Sequence, residues 1–144
     1  MRTAMQWMLR VLDLLTCWMP SVRREPEHLK TGRAGEEAAY FYLRKRGYTI
    51  VARNWRGGGR RGELDLVGWE GKTLCFIEVK TRGKRGEVSA EAAVDIKKRD
   101  ELVAMARLYR RRVAPEVQHR FDVVSVYLGN YSEIEVMRGA FEAR

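Results

Sequence analysis

The chain has 144 residues, which suits one domain with one hydrophobic core. Its hydrophobic content of 45% argues against a disordered chain, and its two cysteines, Cys17 and Cys75, argue against a disulfide framework. We therefore expect a reducing, cytoplasmic location. The net charge of +9 indicates an anionic partner, either nucleic acid or an acidic membrane surface.

Residues 3–19 have the pattern of an amphipathic helix with one narrow polar stripe. Arg10 and Asp13 interrupt its apolar run, so we expect no membrane-spanning helix. Docking on the chain's own domain, or on a second copy in a homodimer, is the favoured interpretation. Contact with a membrane interface is the alternative. Residues 1–30 are thus predicted to be a helical extension and linker before a domain of residues 31–144.

The remainder of the chain predicts an α/β domain with a mixed central sheet flanked by helices. In chain order we expect a helix from Thr31 to Gly47, a strand at 48–55, a hairpin formed by the runs 62–67 and 76–80, a helix capped by Ser89 and reaching about Arg112, and strands at 121–128 and 134–137.

The hairpin carries the most informative residues. Residues two apart in a strand share a face, which groups Glu63 with Asp65 and Glu78 with Lys80. If the turn centres on residues 70–71, residue 63 lies opposite residue 78, and Asp65 is a diagonal neighbour of Glu78. Buried charges are costly unless they are paired or bind a metal. We therefore expect Mg²⁺ or Mn²⁺ between the two carboxylates, with Lys80 holding a phosphate oxygen or a water.

This pattern, an acid at the start of one strand and Glu-x-Lys in the next, resembles the PD-(D/E)XK nuclease superfamily. More closely, six ordered blocks resemble the small bacterial YraN family (uncharacterised protein family 0102), which is related in fold to archaeal Holliday junction resolvases. The blocks are residues 32–39, 53–56, 62–67, 76–82, 93–98 and 120–124. The resemblance implies a restriction-endonuclease-like core. It omits the first thirty residues, which look like an extension of this member.

The resemblance also implies roles for individual residues. Asp65 and Glu78 would be metal ligands, the Val79 carbonyl a third ligand, and Lys80 the group that positions or activates water. Glu36 matches a helix acid that completes the site in related resolvases. The alternative for Glu36 is an acidic charge favoured near a helix N-terminus.

Basic residues flank the acidic residues in two glycine-containing loops. We expect phosphate contacts from Arg56, Arg60, Arg61, Arg82, Lys84, Arg85 and Lys97. Lys97 has a second interpretation, as part of a solvated helix face. Asp122 is expected to form a structural ion pair with Arg120.

Together these features predict a Mg²⁺- or Mn²⁺-dependent phosphodiesterase of endonuclease type that acts on DNA, including branched or structured DNA. Two alternatives remain open. One is a non-catalytic nucleic-acid-binding protein on a nuclease fold. The other is an interaction protein that its N-terminal helix recruits to a membrane or a protein partner.

Overall fold

A computed structural model of the protein describes residues 27–59, 61–83, 95–129 and 133–143. The chain divides into two units, residues 1–30 and residues 31–144. The predicted helix at 3–19 lies outside the described residues, as do Arg60, Lys84, Arg85 and Ser89. None of the helices in the described ranges is long and apolar enough to cross a membrane.

The described part of the chain contains two helices and five strands. In chain order they are α1 (Glu27–Lys45), β1 (Thr49–Trp55), β2 (Leu64–Glu70), β3 (Thr73–Arg82), α2 (Ile96–Arg110), β4 (His119–Tyr127) and β5 (Glu133–Phe141).

The strands form one sheet in the order β1-β2-β3-β4-β5. The β3–β4 pair is parallel and the other three pairs are antiparallel, which confirms the predicted mixed sheet. A parallel pair needs a crossover connection, and α2 lies within it. The pairing register shifts between Ile50 and Ala52 at the β1 edge, and between Phe121 and Val123 at the β4–β5 pair.

Each face of the sheet is covered by one helix. Leu43 of α1 packs with Ile77 and other side chains of one face, whereas Met105 of α2 packs with Phe76 and other side chains of the opposite face. The neighbours Phe76 and Ile77 separate in this way because consecutive strand residues point to opposite faces. The core therefore has a helix, sheet and helix in three layers, as the sequence predicted.

Both predicted helix starts are wrong. The first helix already includes residues 27–30, upstream of Thr31. The second is capped by Asp95 and not by Ser89, because the Asp95 backbone is extended and its carboxylate accepts the Lys98 N–H at 2.8 Å. Aspartate is among the strongest N-cap residues. This helix also ends slightly early, with Arg111 as its C-cap.

The predicted hairpin turn is wrong by one residue, and the pairing across the hairpin is therefore wrong by two. Glu70 pairs with Thr73, so the turn residues are Gly71 and Lys72. Gly71 has φ of 59°, a left-handed conformation that tight hairpin turns require. The ladder then pairs Leu66 with Ile77. Since strand partners advance together, the next step along this register sets residue 65 directly opposite residue 78, and not diagonally from it.

An ion-pair network lies near the β2–β3 turn. Arg120 Nε donates to Asp122 Oδ1 at 2.8 Å, which confirms the structural ion pair predicted for Asp122. Arg120 and Arg138 both bind the Glu70 carboxylate. Asp122 also accepts the Gly139 N–H at 2.9 Å. The network therefore ties β2, β4 and β5 together and leaves Asp122 committed to a structural role.

Helix α1 approaches β3 closely at Gly35, which is buried. A Cβ atom at this position would lie 1.9 Å from Thr81 Oγ1. By contrast, a Cβ atom at Gly32, one turn earlier, would meet nothing within 4 Å. The contact of Gly35 with Thr81 therefore sets the distance between α1 and the strand that carries Glu78.

We expect Gly35→Ala to lower the free energy of unfolding by about 1–3 kcal/mol, the usual cost of overpacking. Gly32→Ala is the matched control in the same helix. It should raise the free energy of unfolding by up to about 1 kcal/mol, because alanine is the better helix former. Urea denaturation of both variants provides the measurement. Equal effects of the two substitutions would contradict the close approach.

Candidate metal and phosphate site

Asp65 lies near the start of β2 and is 7% exposed. Its Oδ2 atom accepts the backbone N–H of Val79 at 2.8 Å. This bond links β2 to β3 just beyond the last ladder pair, Leu66 with Ile77. The carboxylate is therefore fixed against the strand that carries Glu78.

Glu78 is 3% exposed, and two lysines approach its carboxylate. Lys80 Nζ lies 2.8 Å from Oε1, and Lys98 Nζ lies 3.5 Å from Oε2. The Oε2 atom is buried and accepts no hydrogen bond. A buried carboxylate oxygen without a hydrogen bond is costly, and in native proteins such atoms are few. This oxygen can therefore accept a ligand.

Burial raises the pKa of Asp65 to about 7, and the negative charges of Glu78 and Glu36 add to the rise. The Val79 N–H and Lys98 act in the opposite direction. A cation between the two carboxylates would remove their mutual repulsion. A buried acid whose pKa is shifted by a specific charged neighbour is a candidate for a functional site.

Helix α2 brings Lys98 to the site, whereas the sequence predicted Lys97. Lys97 is exposed, and no contact of it with the two carboxylates is seen. The helical period offered the correct signal, because Lys98 lies four residues before Leu102, which is buried in the core. Lys98 therefore shares the face of α2 that packs on the sheet.

Ser125 is a second residue that sequence reasoning missed. It is fully buried, and its Oγ atom has no hydrogen-bond partner. Ser125 of β4 pairs with Lys80 of β3, so the two side chains share a face of the sheet. Arg82, two residues further along that face, also has a buried Nε atom without a partner. A lone serine between valines was the only sequence signal.

A cavity of about 410 Å³ is lined by Arg56, Arg61, Gly62, Glu63 and Lys98. Arg56 is bound to Glu63, with 2.7 Å between Nη2 and Oε2, so Glu63 serves to hold an arginine of the loop. Lys98 borders both the cavity and Glu78. The cavity is therefore basic, and Lys98 connects it to Glu78.

In the described ranges, no three side chains of His, Cys, Asp or Glu gather closely enough to hold one metal ion. Glu36 acts on the pKa of Asp65 through its charge, and its predicted role as a third acid stays a prediction. Cys75 is buried in the core, and burial raises its pKa to about 12. A buried thiol of this kind is inert.

Comparison with known proteins places the chain in a family. The model of the uncharacterised protein family UPF0102 matches residues 35–126. The chain belongs to this family. A UPF0102 protein of Koribacter versatilis is 53% identical over 142 residues, which is 98% of this chain and 96% of that protein. A relative from Solibacter usitatus is 49% identical over 83% of this chain and 89% of its own length. A relative from Porphyromonas gingivalis is 42% identical over 80% of this chain and 86% of its own length.

The names of these UPF0102 relatives state a family and no reaction. The Koribacter protein aligns with nearly the whole chain, including most of residues 1–30. This segment is therefore shared with the Koribacter relative, whereas the Solibacter and Porphyromonas relatives match 83% and 80% of this chain.

We expect Asp65 to make the protein less stable as pH rises. Its pKa is about 7 in the folded state against an ordinary value of 3.8, so the folded state keeps a proton that the unfolded state releases. The corresponding stabilisation is fully present below about pH 4 and is lost as pH rises through about 7. Thermal melts across this range should show the decline in the wild type and a much smaller decline in Asp65→Asn.

Glu70→Gln is the control. Hydrogen bonds from Arg138 and Arg120 lower the pKa of Glu70 to about 2, so its own contribution is lost only as pH falls below about 4.5. Glu70→Gln should therefore reduce stability but keep the decline between pH 5 and 8. A decline that persisted unchanged in Asp65→Asn would show that another group causes it.

Proposed function

We propose that the protein is a Mg²⁺- or Mn²⁺-dependent phosphodiesterase that acts on DNA, including branched DNA. One observation carries the proposal: Asp65 and Glu78 are buried neighbours, one oxygen of Glu78 has no hydrogen bond, and Lys80 lies 2.8 Å from the other. Stability alone gives little reason to bury two repelling acids side by side.

The donor set suits a hard cation. Carboxylate oxygens of Asp65 and Glu78, with the Val79 carbonyl, would hold it, and Mg²⁺ commonly binds one or two protein carboxylates and completes its shell with water and phosphate. Such a cation would supply a more acidic water and neutralise charge that develops on the phosphate. The Glu78 Oε2 atom, which accepts no hydrogen bond, supports this fit.

The lysines would act on the substrate. Lys80 and Lys98 are partly exposed, so their ammonium groups can turn from Glu78 toward a phosphate oxygen. Lys80 would orient the attacking water or stabilise the transition-state charge, since its Nζ atom lies 2.8 Å from Glu78. The buried hydroxyl of Ser125 is on the same face, where it can accept from Lys80 or donate to the phosphate.

The charge of the chain and the basic cavity support a nucleic-acid substrate. Arg61 and Lys98 line the cavity, and the chain has a net charge of +9. Cations beside a cleft bind the phosphate backbone and raise the rate of encounter with it. The choice of DNA, and of branched DNA, rests on the resemblance to Holliday junction resolvases.

A second candidate is a nucleic-acid-binding protein that does not cleave. The ion pairs of Glu78 with Lys80 and Lys98 favour it, because two lysines already balance the charges of two carboxylates. The same cations would then bind phosphate without chemistry. The two functions differ in whether the site binds a cation and in whether substrate is cut.

We expect millimolar Mg²⁺ or Mn²⁺ to raise the melting temperature of the wild type, because a ligand that binds only the folded state stabilises it by mass action. Asp65→Asn should abolish the shift. Glu70→Gln, which removes a carboxylate from the other end of β2, should retain it. An equal shift in the wild type and in Asp65→Asn would rule out a cation at this site.

We expect Lys80→Ala to lower cleavage by at least about 100-fold, the usual effect of losing a group that acts in the transition state. Its affinity for DNA should change little, since one phosphate contact among many contributes little to binding. Lys72→Ala, which removes the same charge from the hairpin turn, should leave cleavage intact. The measurement is cleavage of labelled duplex and four-way-junction DNA with Mn²⁺, together with a binding titration in EDTA.

Two results would contradict the nuclease proposal. If the pure wild-type protein bound DNA but cut none of the substrates with either metal, the non-catalytic candidate would replace it. If Lys80→Ala lost binding and cleavage in parallel, Lys80 would be a phosphate anchor and not a catalytic residue.

A further inference from the structure

A stretch of the chain rich in basic residues runs from the end of α1 through β1 into the loop that follows. Residues 38–62 contain no aspartate or glutamate. The same stretch contains seven basic residues: Arg44, Lys45, Arg46, Arg53, Arg56, Arg60 and Arg61. Much of the chain's net positive charge is therefore concentrated in the end of α1, strand β1 and the loop that follows.

Three of these arginines lie over tyrosine rings. Arg44 of α1 and Arg53 of β1 contact the same ring, that of Tyr40, at 5.5 and 4.6 Å from its centroid. Arg46 lies 4.4 Å from the ring centroid of Tyr42. We call these five residues the arginine–tyrosine surface. Stacking fixes the guanidinium planes in advance, so less side-chain entropy is lost when they bind a ligand.

Within the described residues, these guanidinium groups have no acidic partner. In the described part of the chain, neither Arg44, Arg46 nor Arg53 makes an ion pair with a carboxylate. Basic residues at the end of a helix are commonly explained by the helix dipole. That explanation covers Arg44 and Arg46 but not Arg53, which belongs to a strand. The surface is therefore complementary to an external polyanion.

An exposed aromatic ring lies beside these cations. Phe41 is 53% exposed and contacts the edge of the Tyr40 ring, with 5.1 Å between ring centroids. On β1, Val51 is also exposed, at the point where the pairing register shifts. Exposed aromatic rings among cations are typical of proteins that bind single-stranded nucleic acid, because every base can stack on a ring.

We propose that the arginine–tyrosine surface and Phe41 form a second nucleic-acid-binding site, which takes an unpaired strand. Arg44, Arg46 and Arg53 bind its phosphates, and Phe41 stacks on a base. The site is distinct from the cavity at Lys98, which lies against α2 on the other face of the sheet.

The two sites adjoin at the end of β1. Arg53 belongs to the new surface and Arg56 lines the cavity. They are three residues apart, and three residues of extended chain span at most about 10 Å. One strand can therefore pass from the cavity around the edge of the sheet to the arginine–tyrosine surface. This continuity rests on the proposed function, whereas binding at the new surface does not.

The test is fluorescence anisotropy of the full chain with labelled oligothymidylate and with duplex of equal length, in EDTA and across a salt titration. Arg46→Gln/Arg53→Gln should weaken binding of the single strand and make the log–log salt slope shallower by about 1.4, since each phosphate contact on a single strand contributes about 0.7. Phe41→Ala should weaken single-strand binding about tenfold at every salt concentration, as loss of one stacked base does. Phe41→Trp, which keeps an aromatic ring at this position, should retain single-strand binding.

Arg107→Gln/Arg111→Gln is the matched control, because it removes two exposed charges from the end of the other helix. It should alter single-strand binding much less. Losses equal to those of Arg46→Gln/Arg53→Gln would overturn the proposal, since net charge alone would then explain them. Unchanged binding in Phe41→Ala would overturn it as well.

Cations around an exposed phenylalanine can also bind an anionic membrane surface. If Phe41→Ala and Arg46→Gln/Arg53→Gln lost binding to phosphatidylserine vesicles but kept oligothymidylate binding, the surface would be a membrane contact and the proposal wrong. Binding in EDTA does not require cleavage. Failure of the nuclease proposal would therefore appear in the Asp65 and Lys80 variants, and failure of this one in the Phe41 and Arg46/Arg53 variants.

Discussion

The register of the β2–β3 hairpin is the constraint on which the candidate site depends. The turn at Gly71 and Lys72 fixes the ladder, and the ladder sets residue 65 opposite residue 78. The hydrogen bond from the Val79 N–H to Asp65 then holds the carboxylate against β3. A one-residue change in the β2–β3 register would place these two acids on different faces of the sheet or in different cross-strand pairs. The network of Glu70, Arg120 and Arg138 near the turn resists such a slip.

The burial of two acids is tolerated because cations reach them from two different elements. Lys80 comes from β3 itself, and Lys98 comes from α2, which enters through the crossover that the parallel β3–β4 pair requires. The positive charge at the site is therefore a product of the topology. Ser125 Oγ and Arg82 Nε lie on the same face of the sheet. Both atoms are buried and have no hydrogen-bond partner.

Sequence reasoning could predict the features that depend on local chemistry. The alternation in β2 and β3, the glycine turn and the acidic positions were enough to bring Asp65, Glu78 and Lys80 together. It could not predict Ser125, which reaches Lys80 only through a pairing between strands some forty residues apart. Lys98 was missed because the neighbouring Lys97 was assigned to the site, although the spacing of Lys98 from the buried Leu102 indicated the face that packs on the sheet. The hairpin turn was misplaced by one residue, which moves the partner of residue 78 by two, because Glu70-Gly71 and Gly71-Lys72 are both acceptable turns.

The irregular edges of the sheet affect how copies of the protein behave in solution. The register shift at Val51 lies in β1, and a second shift disturbs the pairing of β4 with β5. Strands β1 and β5 are the two outer strands of the sheet. Their free N–H and C=O groups would otherwise accept a further strand. A kinked edge with arginine at position 53 is a poor template for that addition. The irregularities therefore oppose edge-to-edge aggregation at high protein concentration.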